Sequence, residues 1–135
     1  METARLELPG TPAAPSVARL FVRNLCEEWG AASLTDVAEL LSSELVTNAV
    51  IHARSSISLE AAYDQNGSAD EHGDGGVLRI EVYDSSADDV DLQPHEVSQG
   101  AEGGRGLAIV ARLASHWGVE PVSQGKRVWF TLGSV

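Results

Sequence analysis

Cysteine is almost absent from this chain: Cys26 is the only one in 135 residues. That excludes an internal disulfide framework and suits a reducing compartment. Cys26 lies within an apolar helical pattern, so a buried, unreactive thiol is expected. Long apolar runs are also missing; nothing approaches the roughly 18 residues of a membrane span. Met1 to Gly10 has neither a basic stretch nor a long apolar core, so no signal peptide is expected and the cytoplasm is the default. Basic residues are scarce, with 9 Lys and Arg against 20 Asp and Glu, a net charge of −11. A general binder of phosphate backbones needs the opposite balance, so no direct nucleic-acid contact is expected. A basic protein partner, or simply a soluble surface, remains. Two common phosphate motifs are missing as well. No G-x-x-x-x-G-K-[ST] occurs, and the G-x-G starting at Gly104 fails as G-x-G-x-x-G because Ile109 takes the third glycine position.

What is present reads as one domain over residues 1–135, long enough to bury a core without staples. Ala4–Leu8 alternates as a short edge strand. A helix follows Pro12 and Pro15 and runs to about Glu28, closed by Trp29-Gly30, with Val17, Leu20, Phe21, Asn24 and Leu25 on one face. Ser33–Ala53 is a second helix, with Ser33 as N-cap and Asp36 three residues on. Ser56–Tyr63 and Val77–Tyr83 read as strands, the second ending at Asp84. Between them, the Gly- and Asp-rich stretch 64–76 briefly imitates a calcium loop, but Ala69 and Gly75 occupy its turn-glycine and closing-Glu positions. After the long segment 85–103, helical spacing returns over Gly104–Ser115. Trp117–Glu120 and Arg127–Leu132 close the chain as strands, their tryptophans expected in the core. This order predicts a two-layer α/β (α+β) sandwich, a mostly antiparallel mixed sheet with helices on one face.

Three segments bear chemistry. In the second helix, Val37, Leu40, Leu41 and Ile51 share one arc at about 100° per residue, and Glu44 and Asn48 project from its middle. A carboxylate there needs a polar partner, and a hydrated Mg²⁺ is one that fits. An exposed face, or a Glu44–Asn48 pair satisfied by backbone, is the plain alternative. Asp84 can accept from an amine such as that of adenine, or close an Asx-turn. Gly103-Gly104-Arg105-Gly106 opens a helix whose N–H groups can face an anion, or is merely a flexible loop end.

In combination the segments are more specific. Glu44-Leu-Val-Thr-Asn48-Ala-Val-Ile-His52-Ala, Asp84, Gly104-Arg-Gly-Leu-Ala-Ile-Val and Gly125-Lys-Arg-Val-Trp-Phe resemble the boxes of the GHKL superfamily of ATP-binding domains. That superfamily includes DNA gyrase, a heat-shock chaperone and histidine kinases. The resemblance is closest to the stand-alone anti-sigma-factor serine/threonine kinases. It implies a Bergerat-type ATP-binding fold, with ATP and Mg²⁺ as cofactors. It also implies that Asn48 ligates Mg²⁺ and that Glu44 is the catalytic general base. Asp84 would read the adenine amine, and Gly104, Arg105 and Gly106 would cradle phosphates under an ATP lid at 85–103. The implied partners are an alternative sigma factor and an anti-anti-sigma antagonist with a STAS domain, which would be phosphorylated; the implied assembly is a homodimer. One departure stands out. The family's middle box, Asp-x-Gly-x-Gly, is here Asp84-Ser85-Ser86-Ala87-Asp88, without glycine and followed by Asp89 and Asp91. Negative charge there opposes phosphate. A non-catalytic or nucleotide-gated protein-binding regulator is therefore the alternative function.

Overall fold

The computed structural model describes residues 1–53, 56–65, 76–85, 102–123 and 125–133. Among the described residues, five strands and three α-helices follow one another as β1 (Glu2–Leu8), α1 (Ala14–Glu28), α2 (Thr35–Ala53), β2 (Ile57–Asp64), β3 (Val77–Asp84), α3 (Glu102–Leu113), β4 (His116–Val122) and β5 (Gly125–Leu132). The strands form one sheet in the order β1-β2-β3-β5-β4, every neighbouring pair antiparallel. The expected two-layer α+β architecture is therefore present, with a sheet that is wholly antiparallel among the described strands. No described helix is long and apolar enough to cross a membrane.

Alternation sorts the strands into two faces, because successive side chains point to opposite sides. Ile57, Leu59 and Ala61 of β2, Leu78, Ile80 and Val82 of β3, and Val128 and Phe130 of β5 are buried together. They share that core with Val22 and Cys26 of α1, Leu41 and Leu45 of α2, and Leu107 and Val110 of α3. Burial pushes the Cys26 thiol up, an effect opposed more weakly by its hydrogen bond with Thr35. The opposite face of the sheet carries Arg79, Glu81, Arg127 and Trp129, all only partly buried. Trp129 is thus not in the core as expected: Arg79 lies over its ring at 4.3 Å from the centroid, and Trp117 packs against the core edge.

The helices depart from their predicted faces. In α1 the buried set is Ala14, Ala18, Val22, Leu25 and Cys26, whereas Val17 and Leu20 are exposed, Leu20 by 58%. Toward its start α1 buries Ala14 and Ala18 rather than Val17 and Leu20, and the helix packs chiefly against α2. Its end is as expected: Gly30 takes φ +75°, and the Ala31 N–H donates to the Cys26 carbonyl. Ser33 is not the cap of α2. It occupies the middle of a single 3₁₀ turn, Ala32–Leu34, and α2 begins at Thr35. Along α2 the buried residues are Ala38, Leu41, Ser42, Ser43, Leu45, Val46, Asn48 and Ala49, while Ile51 is 43% exposed. The helix packs against α1, α3 and β3. Enclosure on several sides explains why its apolar pattern is not cleanly one-sided.

Candidate functional site

The site is built around α2, the element that touches both α3 and the strand ending in Asp84. Glu44 and Asn48 stand one helical turn apart. Glu44 is half-buried at the margin of the packed side, whereas Asn48 is only 1% exposed. Neither Asn48 Oδ1 nor Asn48 Nδ2 has a hydrogen-bond partner. An amide left in that state costs about 1–3 kcal/mol of desolvation that folding does not recover. The reading in which this Asn is simply exposed, or satisfied by nearby backbone, therefore does not hold for its side chain.

Gly106 of α3 faces Glu44. A Cβ built there would lie 2.7 Å from Glu44 Oε2, closer than real Cβ contacts come, and 3.1 Å from Glu44 Cβ, tighter than most. Glycine at this position is what lets α3 approach the carboxylate. The helix starts earlier than the sequence suggests, at Glu102, so Gly104 and Arg105 fall in its first turn. The first four N–H groups of a helix have no intrahelical acceptor, and here that end carries the glycine-rich run. The Arg105 side chain lies outside the described residues, as do Ser86 to Ala101, hence most of the expected lid and the acidic Asp88, Asp89 and Asp91. The calcium-like loop at 66–75 falls outside them too.

Asp84 is buried at the last position of β3 on the helix-covered face, directly across from Lys126 of β5. Its Oδ2 lies 3.9 Å from Lys126 Nζ, and both side chains are shielded from solvent. The backbones also close up here: a Cβ on Gly125 would sit 1.8 Å from the Asp84 carbonyl oxygen. Lys126 falls in the Gly125-Lys-Arg-Val-Trp-Phe segment, but the sequence does not point to its contact with Asp84. Only its placement next to Gly125 at the start of a strand hints at it, because the register that brings it to Asp84 is a tertiary fact.

Among the described residues no group of three or more His, Cys, Asp or Glu is arranged to hold a metal ion. A cation at this site would rest on the orphaned Asn48 carbonyl together with phosphate oxygens and waters, which suits Mg²⁺. A separate cavity of about 540 Å³ opens on the other face of the sheet, between Arg79, Trp129, His116 and Thr131. It shares no residue with the Glu44, Asn48 and Asp84 cluster.

A helix pair carrying Glu44, Asn48 and Gly106, laid on an antiparallel sheet whose central strand ends in Asp84, is matched by one family model, the histidine kinase-like ATPase domain, over residues 8–132. This chain belongs to that family. Histidine kinase-like ATPase domains bind ATP, usually with Mg²⁺, and the residues present fit both groups: a buried amide without a partner and a glycine-rich helix start. Among solved structures, the chain is similar to the crystal structure of the RsbU and RsbW domains of Rv1364c from Mycobacterium tuberculosis. The likeness has a TM-score of 0.68 at 24% identity and covers 98% of this chain but 32% of that one. It bears on the fold. The comparison with curated proteins gave no match.

Proposed function

We propose that this ATPase-like domain is a Mg-ATP-dependent serine/threonine protein kinase and anti-sigma factor. In this reading it holds an alternative sigma factor and phosphorylates an anti-anti-sigma antagonist with a STAS domain. The observation that carries the nucleotide part is the Asn48 amide, buried to 1% exposure and unpartnered, one turn from a carboxylate that lies against the glycine of α3. The RsbW domain named in the similar structure supports the regulatory part.

The chemistry follows from the residues. Asn48 would hold Mg²⁺ through Oδ1, and that ion, when bound, would neutralise phosphate charge. Asp84 would accept from the adenine amine, while the backbone N–H groups at Gly104, Arg105 and Gly106 would face the phosphates. Glu44 would take the proton from the attacking Ser or Thr hydroxyl as its oxygen bonds to the γ-phosphorus and the bond to the β–γ bridging oxygen breaks. Positioning supplies most of the catalysis in such transfers.

The glycine-free box after Asp84 favours a second reading, a nucleotide-gated regulator that binds its partner without phosphorylating it. Calorimetry with ATP and Mg²⁺ tests the shared part: binding should saturate, and both Asn48→Ala and Asp84→Ala should abolish it. Incubation with ATP and a STAS-domain antagonist separates the two readings. A phosphoprotein that disappears in Glu44→Ala, with nucleotide still bound, supports the kinase. Full partner regulation by Glu44→Ala, without any phosphoprotein from the unmutated chain, supports the binding module.

A further inference from the structure

Lys126 is the only lysine in the sequence; the other basic residues are all arginine. It is also fully buried, at 0% exposure, and its Nζ has no hydrogen-bond partner. At 3.9 Å, Asp84 Oδ2 is close enough to form an ion pair and too far to accept a hydrogen bond. The ammonium therefore holds three N–H donors that nothing in the described structure uses. A buried charge in that position needs lone pairs brought to it. Arginine here would close a two-pronged pair with Asp84 and consume it, whereas lysine is a compact charge that cannot fork. The residue type thus leaves the ammonium donors without a hydrogen-bond acceptor inside the protein.

From this geometry we infer that Lys126 is a base-reading residue, donating to a ring nitrogen beside the amine that Asp84 accepts. The inference rests on the ATP-binding reading of this site and adds a second polar contact to it. Asp84 and Lys126 are opposite each other on the helix-covered face, at the strand ends, locked by the close approach of Gly125 to the Asp84 backbone. Together they place a carboxylate and an ammonium group side by side. The adenine edge offers the complement: an exocyclic amine flanked by N1 on one side and N7 on the other, both acceptors. An acceptor alone selects for the amine; the pair selects for the amine and its neighbour.

The test uses the full chain with Mg²⁺ and four nucleotides: ATP, 1-deaza-ATP, 7-deaza-ATP and purine riboside triphosphate. One of the two deaza analogues should bind about tenfold or more weaker than ATP, the loss expected for a hydrogen bond from a charged donor. In Lys126→Met that deficit should vanish, because the partner of the missing nitrogen is gone. Purine riboside triphosphate, which lacks the amine, should stay weak in both proteins. Equal binding of ATP and both deaza analogues by the unmutated chain overturns the inference and leaves Lys126 as a counter-ion to Asp84. Failure of every nucleotide to bind overturns the site reading itself, a different result. If Lys126→Met does not fold, the analogue series on the unmutated chain still decides. A second measurement is then the single Cε signal of ¹³C-lysine-labelled protein, which should shift with ATP and less with the weaker analogue.

Discussion

The two faces of the sheet differ in how their charged side chains are paired. On the open face Arg127 pairs with Glu81 at 2.9 Å and also with Glu120, Arg79 reaches Glu81 at 3.3 Å, and the Trp129 indole N–H donates to Glu120 at 3.1 Å. Only Arg127 Nε in that network is left without an acceptor. Burial lowers the Arg127 pKa, but Tyr83, Glu81 and Glu120 together outweigh it and hold the value above the ordinary one, so this cation is fixed. On the helix-covered face, deeper and drier, Asn48 and Lys126 keep their donors and acceptors unused. Structural polar groups are expected to be most completely satisfied where burial is greatest. Ser42 Oγ on α2 and Thr131 Oγ1 on the open face also lack partners, so burial without a partner is not confined to one face; in the proposed reading, Asn48 and Lys126 are the groups kept for a ligand.

Asn48→Ala should break the comparison most sharply. If the amide serves a ligand, its removal costs nucleotide binding about 100-fold or more, as for other contacts at a metal centre. The thermal midpoint should barely fall, since no hydrogen bond within the protein is lost. A large loss of stability with binding intact would make Asn48 a packing residue. Gly106→Ala comes next. The nearest atom to the new methyl is the end of the flexible Glu44 side chain, so the fold can give way while the carboxylate moves. Nucleotide binding should persist, and phosphotransfer should fall by about 10²-fold, within the range for a displaced general base. Calorimetry and single-turnover transfer on one preparation check both halves.

Much of this contrast is legible in the amino-acid sequence. Period-two alternation marks Leu78, Ile80 and Val82 for one face and Arg79 and Glu81 for the other, since a strand writes its faces directly into sequence. Glu44, Asn48, Gly106 and Asp84 are picked out in the sequence only by their combination, since each alone has a plain structural reading. The burial of α2 is not legible. A helix enclosed by α1, α3 and β3 has no single apolar arc, so Val46, outside the predicted arc, is buried, while Ile51, within it, is exposed. In α1, which packs against α2, Ala14 and Ala18 are buried in place of Val17 and Leu20, a preference invisible without the partner. Lys126 is illegible for a third reason. Its meaning depends on the β3–β5 register, which pairs residues from distant parts of the chain.

Arg127→Ala probes the other side of the comparison, with a smaller expected effect. It removes the ion pairs to Glu81 and Glu120 from partly exposed side chains, so the loss should be about 1 kcal/mol or less and should shrink at high salt. Urea unfolding at low and high ionic strength reads it. Nucleotide affinity should not change, because the side chain lies on the face away from Asn48. A change in affinity larger than the change in stability would mean that the two faces are coupled through β5, where Arg127 follows Lys126 directly.

The smallest effect belongs to Glu7 at the sheet edge. Ser58 donates a hydrogen bond to its carboxylate and Arg5 adds a second at 3.2 Å, and both hold its pKa below the ordinary glutamate value of about 4.3. A carboxyl with a lowered native pKa takes up its proton more readily in the unfolded chain. Its contribution is therefore complete above the unfolded value and disappears as pH falls through the lower, native one. Glu7→Gln should accordingly leave the stability difference from the parent chain constant from pH 7 to about 5, and that difference should shrink below about pH 4. Because this carboxylate is exposed to solvent, the difference should also shrink with added salt. Equilibrium unfolding at each pH measures it. A difference that instead grew on acidification would mean that Glu7 is destabilised in the native state, and its contacts with Ser58 and Arg5 would then not be stabilising.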